Sequence, residues 1–209
     1  METILSALWS EHRSIAAVLH GMLYLVREKC ERGKPIETRV LRAMLYYLDV
    51  FPERVHHPKE EQFLFKAVRA RTSEANPLLD ELAREHAEGK EALRRIDQAL
   101  LRYEEGGEAE FAQFAQALED FAGGYRDHMR KEEEVVMGAA RRALSKDDWS
   151  TLQREWALHG DPIAEEAARE GYERLINRIV ELAPPPIGLG CGTELALAPK
   201  RRPRQPKTN

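Results

Sequence analysis

The sequence is poor in cysteine, in long apolar runs and in any excess of charge of one sign, and each shortage removes a class of function. Two cysteines occur in 209 residues, Cys30 and Cys191, far apart and outside any CxxC spacing. That excludes a disulfide framework and a zinc knuckle and fits a reducing cytoplasm. No apolar run approaches the ~20 residues that a membrane-spanning helix needs, so no membrane partner is expected. Basic and acidic residues nearly balance, 32 against 36, for a net charge of −4, which argues against a broad basic surface for nucleic acid. The opening stretch METILSALWSEHRS carries Glu2 and Glu11 and lacks the basic segment and apolar core of a signal peptide. With 43% hydrophobic and 33% charged residues, the chain reads as one soluble domain with a real core.

What the chain has in abundance is helical periodicity. Leu5, Leu8, His12, Ile15, Leu19, Met22 and Val26 follow at steps of three and four, the spacing of one buried helix face, until Gly33 and Pro35 end it. A second stretch opens with Leu41, Leu45 and Leu48 and runs to Val68, stopping near Thr72 and Ser73. A third, after Asn76 and Pro77, reads Leu79, Leu82, His86, Gly89, Leu93, Ile96 and Leu100, and Gly106-Gly107 closes it. The fourth reads Phe111, Phe114, Leu118, Phe121, Tyr125, His128, Glu132, Val135 and Ala139. Four helices of similar length with short connections predict an all-α fold, an antiparallel up-and-down four-helix bundle over residues 1–145.

A helical extension is expected over 146–183. Trp149, Leu152 and Trp156 mark a short helix ending at Gly160, and Asp161 and Pro162 suit the start of another that runs to about Leu182. Six prolines and the ending KRRPRQPKTN make 184–209 a flexible, basic tail.

Four of the seven histidines, His12, His56, His86 and His128, fall one per helix on inward positions. One such residue is usually an ordinary core histidine, but a short-looped bundle brings four of them into a single layer. "HHPKEEQFLF" and "HMRKEEEVVM" align without gaps, pairing His56 with His128 and Glu60 with Glu132. Each therefore offers HxxxE, an imidazole and a carboxylate one turn apart on one face. His57 with Glu61 repeats the pattern, but on a straight helix His57 points about 120° from the inner face, whereas His56 lies within about 20° of it. Pro52 and Pro58 can kink the helix by one register, which would promote His57 and Glu61 instead. Glu61, Glu133 and Glu134 read as a solvated face.

Burying two carboxylates among four imidazoles costs several kcal/mol per ionised group unless a cation compensates. Imidazole with carboxylate suits iron, manganese or zinc, and His12, His56, His86 and His128 with Glu60 and Glu132 suit a dinuclear centre. The ferritin-like pattern needs ExxH on two helices and finds it only at Glu53-Arg-Val-His56.

The first-helix histidine, "HHPKEEQFLF", "REHAEG" and "DHMRKEEEVVM" together resemble the hemerythrin-like, or HHE cation-binding, family over residues ~1 to 145. The Trp149 region, Asp161-Pro162 and "APPPIGLG" are similar to the C-terminal extension of bacterial members. The resemblance implies two non-heme iron ions, with His12, His56, His86 and His128 as terminal ligands and Glu60 and Glu132 as bridges, and an oxo or hydroxo bridge as an open alternative. One departure stands out. Oxygen carriers of the family carry HxxxH on the third helix, and Lys90 occupies the second of those positions here; His20 and His159 are weak substitutes.

The resemblance implies a small diatomic ligand or peroxide as partner and admits several functions. One is a carrier, sensor or scavenger of dioxygen, nitric oxide or peroxide. Another is an enzyme that decomposes peroxide or reduces nitric oxide, with Tyr125 one turn before His128. A third is iron donation to damaged iron-sulfur centres, disfavoured because no cysteine-bearing segment precedes the first helix.

Overall fold

The computed structural model describes residues 2–158, and all regular structure among them is helical. The expected helix from Asp161 to Leu182 and the tail 184–209 lie outside these residues. Helix α1 is Glu2–Arg32. Helix α2 covers 38–71 and is composite: Thr38–Val50, a π-helical turn Pro52–His56, the short His57–Lys59, a second π segment Glu60–Phe65, and Lys66–Arg71. Helix α3 is Asn76–Gly106. Helix α4 covers 108–143, with a π segment Glu132–Val136 between Glu108–Lys131 and Met137–Ala143. Helix α5 is Lys146–Leu158.

The ends follow from local chemistry. Gly33 takes φ 66°, and its N–H donates to the Lys29 carbonyl at 2.9 Å, the left-handed stop that an L side chain resists. Gly107 does the same at φ 68°, and this one residue turns α3 into α4. Pro77 sits in the first turn of α3, where a missing N–H costs nothing. Ser145 and Asp148 cap α5 reciprocally, the Ser145 N–H donating to Asp148 Oδ2 at 2.8 Å and the Asp148 N–H to Ser145 Oγ at 3.2 Å. Arg71 then holds Asp148 with two bonds of 2.8 and 2.7 Å, tying α5 to the end of α2.

The long helices pack in chain order, α1 on α2, α2 on α3, α3 on α4, and α4 back on α1. Their apolar faces form two separate clusters. One joins Ile15–Val26 of α1, Val40–Leu48 of α2, Leu93–Tyr103 of α3 and Phe114–Met129 of α4. The other joins Ile4–Leu8, Phe63–Val68, Leu79 and Leu82, and Val136–Leu144, with Trp149 and Leu152 of α5 packed on it. Nearly all the inner positions expected from the periodicity are buried. Gly89, Phe111 and Phe121 are half-buried, and Val135 departs furthest: it is 43% exposed while Val136 is fully buried. The π segment Glu132–Val136 explains the difference, because each i→i+5 turn holds an extra residue and shifts the inward face by one position.

Candidate metal centre

Between the two apolar clusters lies a layer of buried polar side chains. His12, His56, His86, His128, Glu60 and Glu132 are all in it, each at most 6% exposed. A seventh member, His57, is buried at 4%. The straight-helix expectation that His57 turns away is therefore corrected. In the turn after Phe51 the His57 N–H donates to the Pro52 carbonyl, five residues back, and the wider π turn lets adjacent residues face the same side. Neither histidine replaces the other; His56 and His57 both enter the layer. His57 stacks on His86 with ring centroids 4.0 Å apart. His20 and Lys90 are exposed, Lys90 lining a groove with Arg42 and Tyr46. His159 lies outside the described residues.

The two carboxylates are each shared between two sets of imidazoles. Glu60 turns Oε1 toward His12 Nε2 (3.6 Å) and His56 Nε2 (3.5 Å), and Oε2 toward His86 Nε2 (3.7 Å). Glu132 turns Oε2 toward His12 Nε2 (3.3 Å), and Oε1 toward His128 Nε2 (3.4 Å) and His86 Nε2 (3.7 Å). Two groups of donors result, each with its ligand atoms within 4.8 Å of one another: His12, His56, Glu60 and Glu132 in one, and His57, His86, His128 and Glu60 in the other.

The orientation of the imidazoles comes from a ring of second carboxylates. Glu133 of α4 accepts from His12 Nδ1 of α1 at 2.8 Å, and Glu11 of α1 from His56 Nδ1 of α2 at 2.7 Å. Glu61 of α2 accepts from His86 Nδ1 of α3 at 2.8 Å, and Glu85 of α3 from His128 Nδ1 of α4 at 2.8 Å. Each helix thus orients the histidine of the next, and the fourth closes on the first. A carboxylate only accepts, so Nδ1 carries a proton and the inward Nε2 is the atom left to give a lone pair to a metal once it is deprotonated. Glu61 and Glu133, expected on a solvated face, are half-exposed but belong to this ring. Its sequence signal is adjacency: Glu11, Glu61, Glu85 and Glu133 each neighbour a residue of the layer.

Without a cation the layer is poorly satisfied. His12 Nε2, His57 Nδ1 and all four oxygens of Glu60 and Glu132 are buried without a hydrogen-bond partner. His86 Nε2 and His128 Nε2 lie 3.0 Å apart; with both Nδ1 atoms protonated, two lone pairs face each other unless a proton or cation intervenes. Protonation follows the same electrostatics. Burial works against charge on His12, but Glu132 and Glu60 outweigh it and raise its pKa to about 11. His128 is likewise opposed by burial and carried by Glu132 and Glu85 to about 9. Burial and then the imidazoles of His86, His56 and His128 push His57 far down, keeping it neutral. Glu60 is raised by burial and by Glu132, whereas Glu132 is held low, against burial, by His128, His12 and His86. Imidazole and carboxylate donors with orphaned inward atoms fit divalent iron, manganese or zinc.

Beside this layer, the Tyr125 hydroxyl lies 3.2 Å from His57 Nε2 and 3.4 Å from Glu53 Oε1. Glu53 is buried, and Gly89 on α3 makes room for it: a Cβ there would lie 2.7 Å from Glu53 Oε1.

No helix among the described residues is long and apolar enough to cross a membrane. No curated protein and no solved structure matches the chain. The model of the hemerythrin HHE cation-binding domain matches residues 3–140, two thirds of the sequence and the whole of the layer just described, and the chain belongs to that family.

Proposed function

We propose that this protein is a non-heme di-iron protein of the hemerythrin type that binds or senses dioxygen, nitric oxide or peroxide. The observation that carries the reading is the division of each carboxylate between two imidazole sets: one oxygen of Glu60 and one of Glu132 serve His12 and His56, and the others serve His86 and His128. Glu60 and Glu132 would bridge. His12 and His56 would hold one ion, and His57, His86 and His128 the other. In this assignment His57 supplies the nitrogen that Lys90 does not. A reduced iron pair would supply electrons to a small oxidant, while the chain orients the imidazoles through their Nδ1 partners and holds Glu60 and Glu132 between the two sets of histidines.

The surrounding fold is proposed as an antiparallel up-and-down bundle over 1–145, with the helix Lys146–Leu158 packed beside it. The pairing of opposite halves of successive helices within each apolar cluster supports that path. The exposed acidic and basic residues suit a cytoplasmic protein without nucleic-acid partners.

Elemental analysis after anaerobic iron loading, followed by optical titration with dioxygen and nitric oxide, tests the reading. About two irons per chain and a stoichiometric spectral change are expected. One iron or none would refute the dinuclear centre. Sustained peroxide consumption over many turnovers would favour an enzyme instead, a reading that the Tyr125 hydroxyl beside His57 supports.

A further inference from the structure

A cavity of about 490 Å³ lies between α3 and α4 and reaches the layer from one side only. Its inner end is formed by His57, His86 and His128 with Glu53 and Tyr125, while His12 and His56 are not among its walls. Ala92, Ile96, Ala117 and Phe121 make the walls apolar, and Arg95, Glu85, Glu88 and Asp120 stand around the mouth.

Three features narrow what the cavity takes. A water molecule takes up ~30 Å³, and a diatomic gas is of similar size, so this space is more than ten times too large for either. It falls instead within the ~300–1,000 Å³ of pockets that hold organic ligands. The space is made by small side chains on the facing helices. At Gly124 an added Cβ would meet nothing within 4 Å, so the room there is open, unlike that at Gly89, which Glu53 fills. Finally, Glu85 is offset by Lys131 and His128, which leaves Glu88 and Asp120 against Arg95 at the mouth, a balance that does not favour an anion there.

We propose that this cavity binds a small uncharged organic molecule with an apolar body and a hydroxyl or hydroperoxyl end, seated with that end at Tyr125 and Glu53 beside His57, His86 and His128. The apolar body rests on Ala92, Ile96, Ala117 and Phe121, and Tyr125 and Glu53 provide the polar contacts that fix its direction. Any such ligand meets the three-histidine group and not the His12 and His56 group. The role of the bound molecule rests on the proposed iron centre, but occupancy of the cavity does not.

The test is a ligand-observed NMR and calorimetric titration of wild type with 2-phenyl-2-propanol, with benzoate as an anion of similar size, on metal-free and iron-loaded protein. Gly124→Leu fills the cavity from α4, and Ala117→Leu does so independently should the first lose helix content. Saturable binding of the alcohol, little binding of benzoate, and at least tenfold weaker binding in the filled variants at unchanged iron content are expected. No saturable binding to wild type, equal affinity for benzoate, or equal affinity in a folded, filled variant would overturn the proposal. Alcohol binding in a protein that takes up no iron would sink the metal reading and leave the cavity assignment standing; iron uptake without alcohol binding would do the reverse.

Discussion

Cutting the ring of second carboxylates should weaken metal binding by an amount that follows their burial. Glu11, whose side chain is 20% exposed, accepts from His56 Nδ1 at 2.7 Å. Removing such a partner of a ligating imidazole typically costs 10–100-fold in affinity, about 1.4–2.8 kcal/mol. Glu11→Ala should therefore fall near the upper end of that range. Glu61, 43% exposed, and Glu133, 39% exposed, face more water, and screening should bring their alanine variants toward the lower end. Glu134 is the control. It is 63% exposed, pairs with Arg130 and touches no histidine, so Glu134→Ala should stay within about twofold of wild type. Glu11→Gln keeps an acceptor but loses the charge and should lie between wild type and Glu11→Ala. Anaerobic competition for ferrous iron against a chromophoric chelator gives the affinities. If Glu11→Ala and Glu133→Ala bind iron as tightly as Glu134→Ala, the carboxylates do not orient the ligands and the ring is only a pattern of surface contacts.

His56→Ala and His57→Ala should each lose iron, but from different positions. Sequential anaerobic titration of each variant should show one tight equivalent, and full retention of two irons by His57→Ala would remove it from the ligand set. Iron uptake should release protons, since His12 and His128, with pKa values of about 11 and about 9, are charged at neutral pH in the metal-free protein and must be neutral to bind. Affinity should thus rise with pH up to about 9 and more gently toward 11. Calorimetry in buffers of different ionisation enthalpy should report net proton release near pH 7, and a buffer-independent heat would contradict the assignment. Gly124→Ala and Gly89→Ala should diverge in thermal melts. The first adds a methyl to open space and should stabilise by ~0.5–1 kcal/mol, whereas the second drives a Cβ into the Glu53 carboxylate and should melt lower. A Gly89→Ala variant as stable as Gly124→Ala would mean that Glu53 moves freely.

The sequence was legible wherever the helix is regular. His12 and His86 sit in uninterrupted α-helix, and steps of three and four place them correctly among Leu8, Ile15, Leu82 and Leu93. His128 and Glu132 followed from the same rule because the π segment of α4 begins only at Glu132. The rule failed just past that point, at Val135 and Val136, and again at His57, because an angle of about 100° per residue no longer holds across a π turn. Pro52 and Pro58 on either side of the His56-His57 doublet were the visible warning, since each removes a backbone donor from the i→i+4 ladder. The orienting carboxylates were not legible as such. Glu61 and Glu133 look like members of acidic runs, and only the neighbouring helix reveals which imidazole each one reaches.

The separation of the apolar core into two clusters bears on how the domain comes apart. All four long helices pass through both clusters, yet between them runs a belt of seven ionisable side chains with six unsatisfied atoms. In the metal-free chain the two halves communicate only along the helix backbones and across this belt, where the carboxylate ring ties neighbouring helices but the inward atoms lack hydrogen-bond partners. Cooperativity is weakest there, and the chain can melt as two loosely coupled blocks. A cation pair bound by donors from all four helices joins the blocks at the middle. Metal then governs whether the domain unfolds as one unit, in addition to how firmly it holds together.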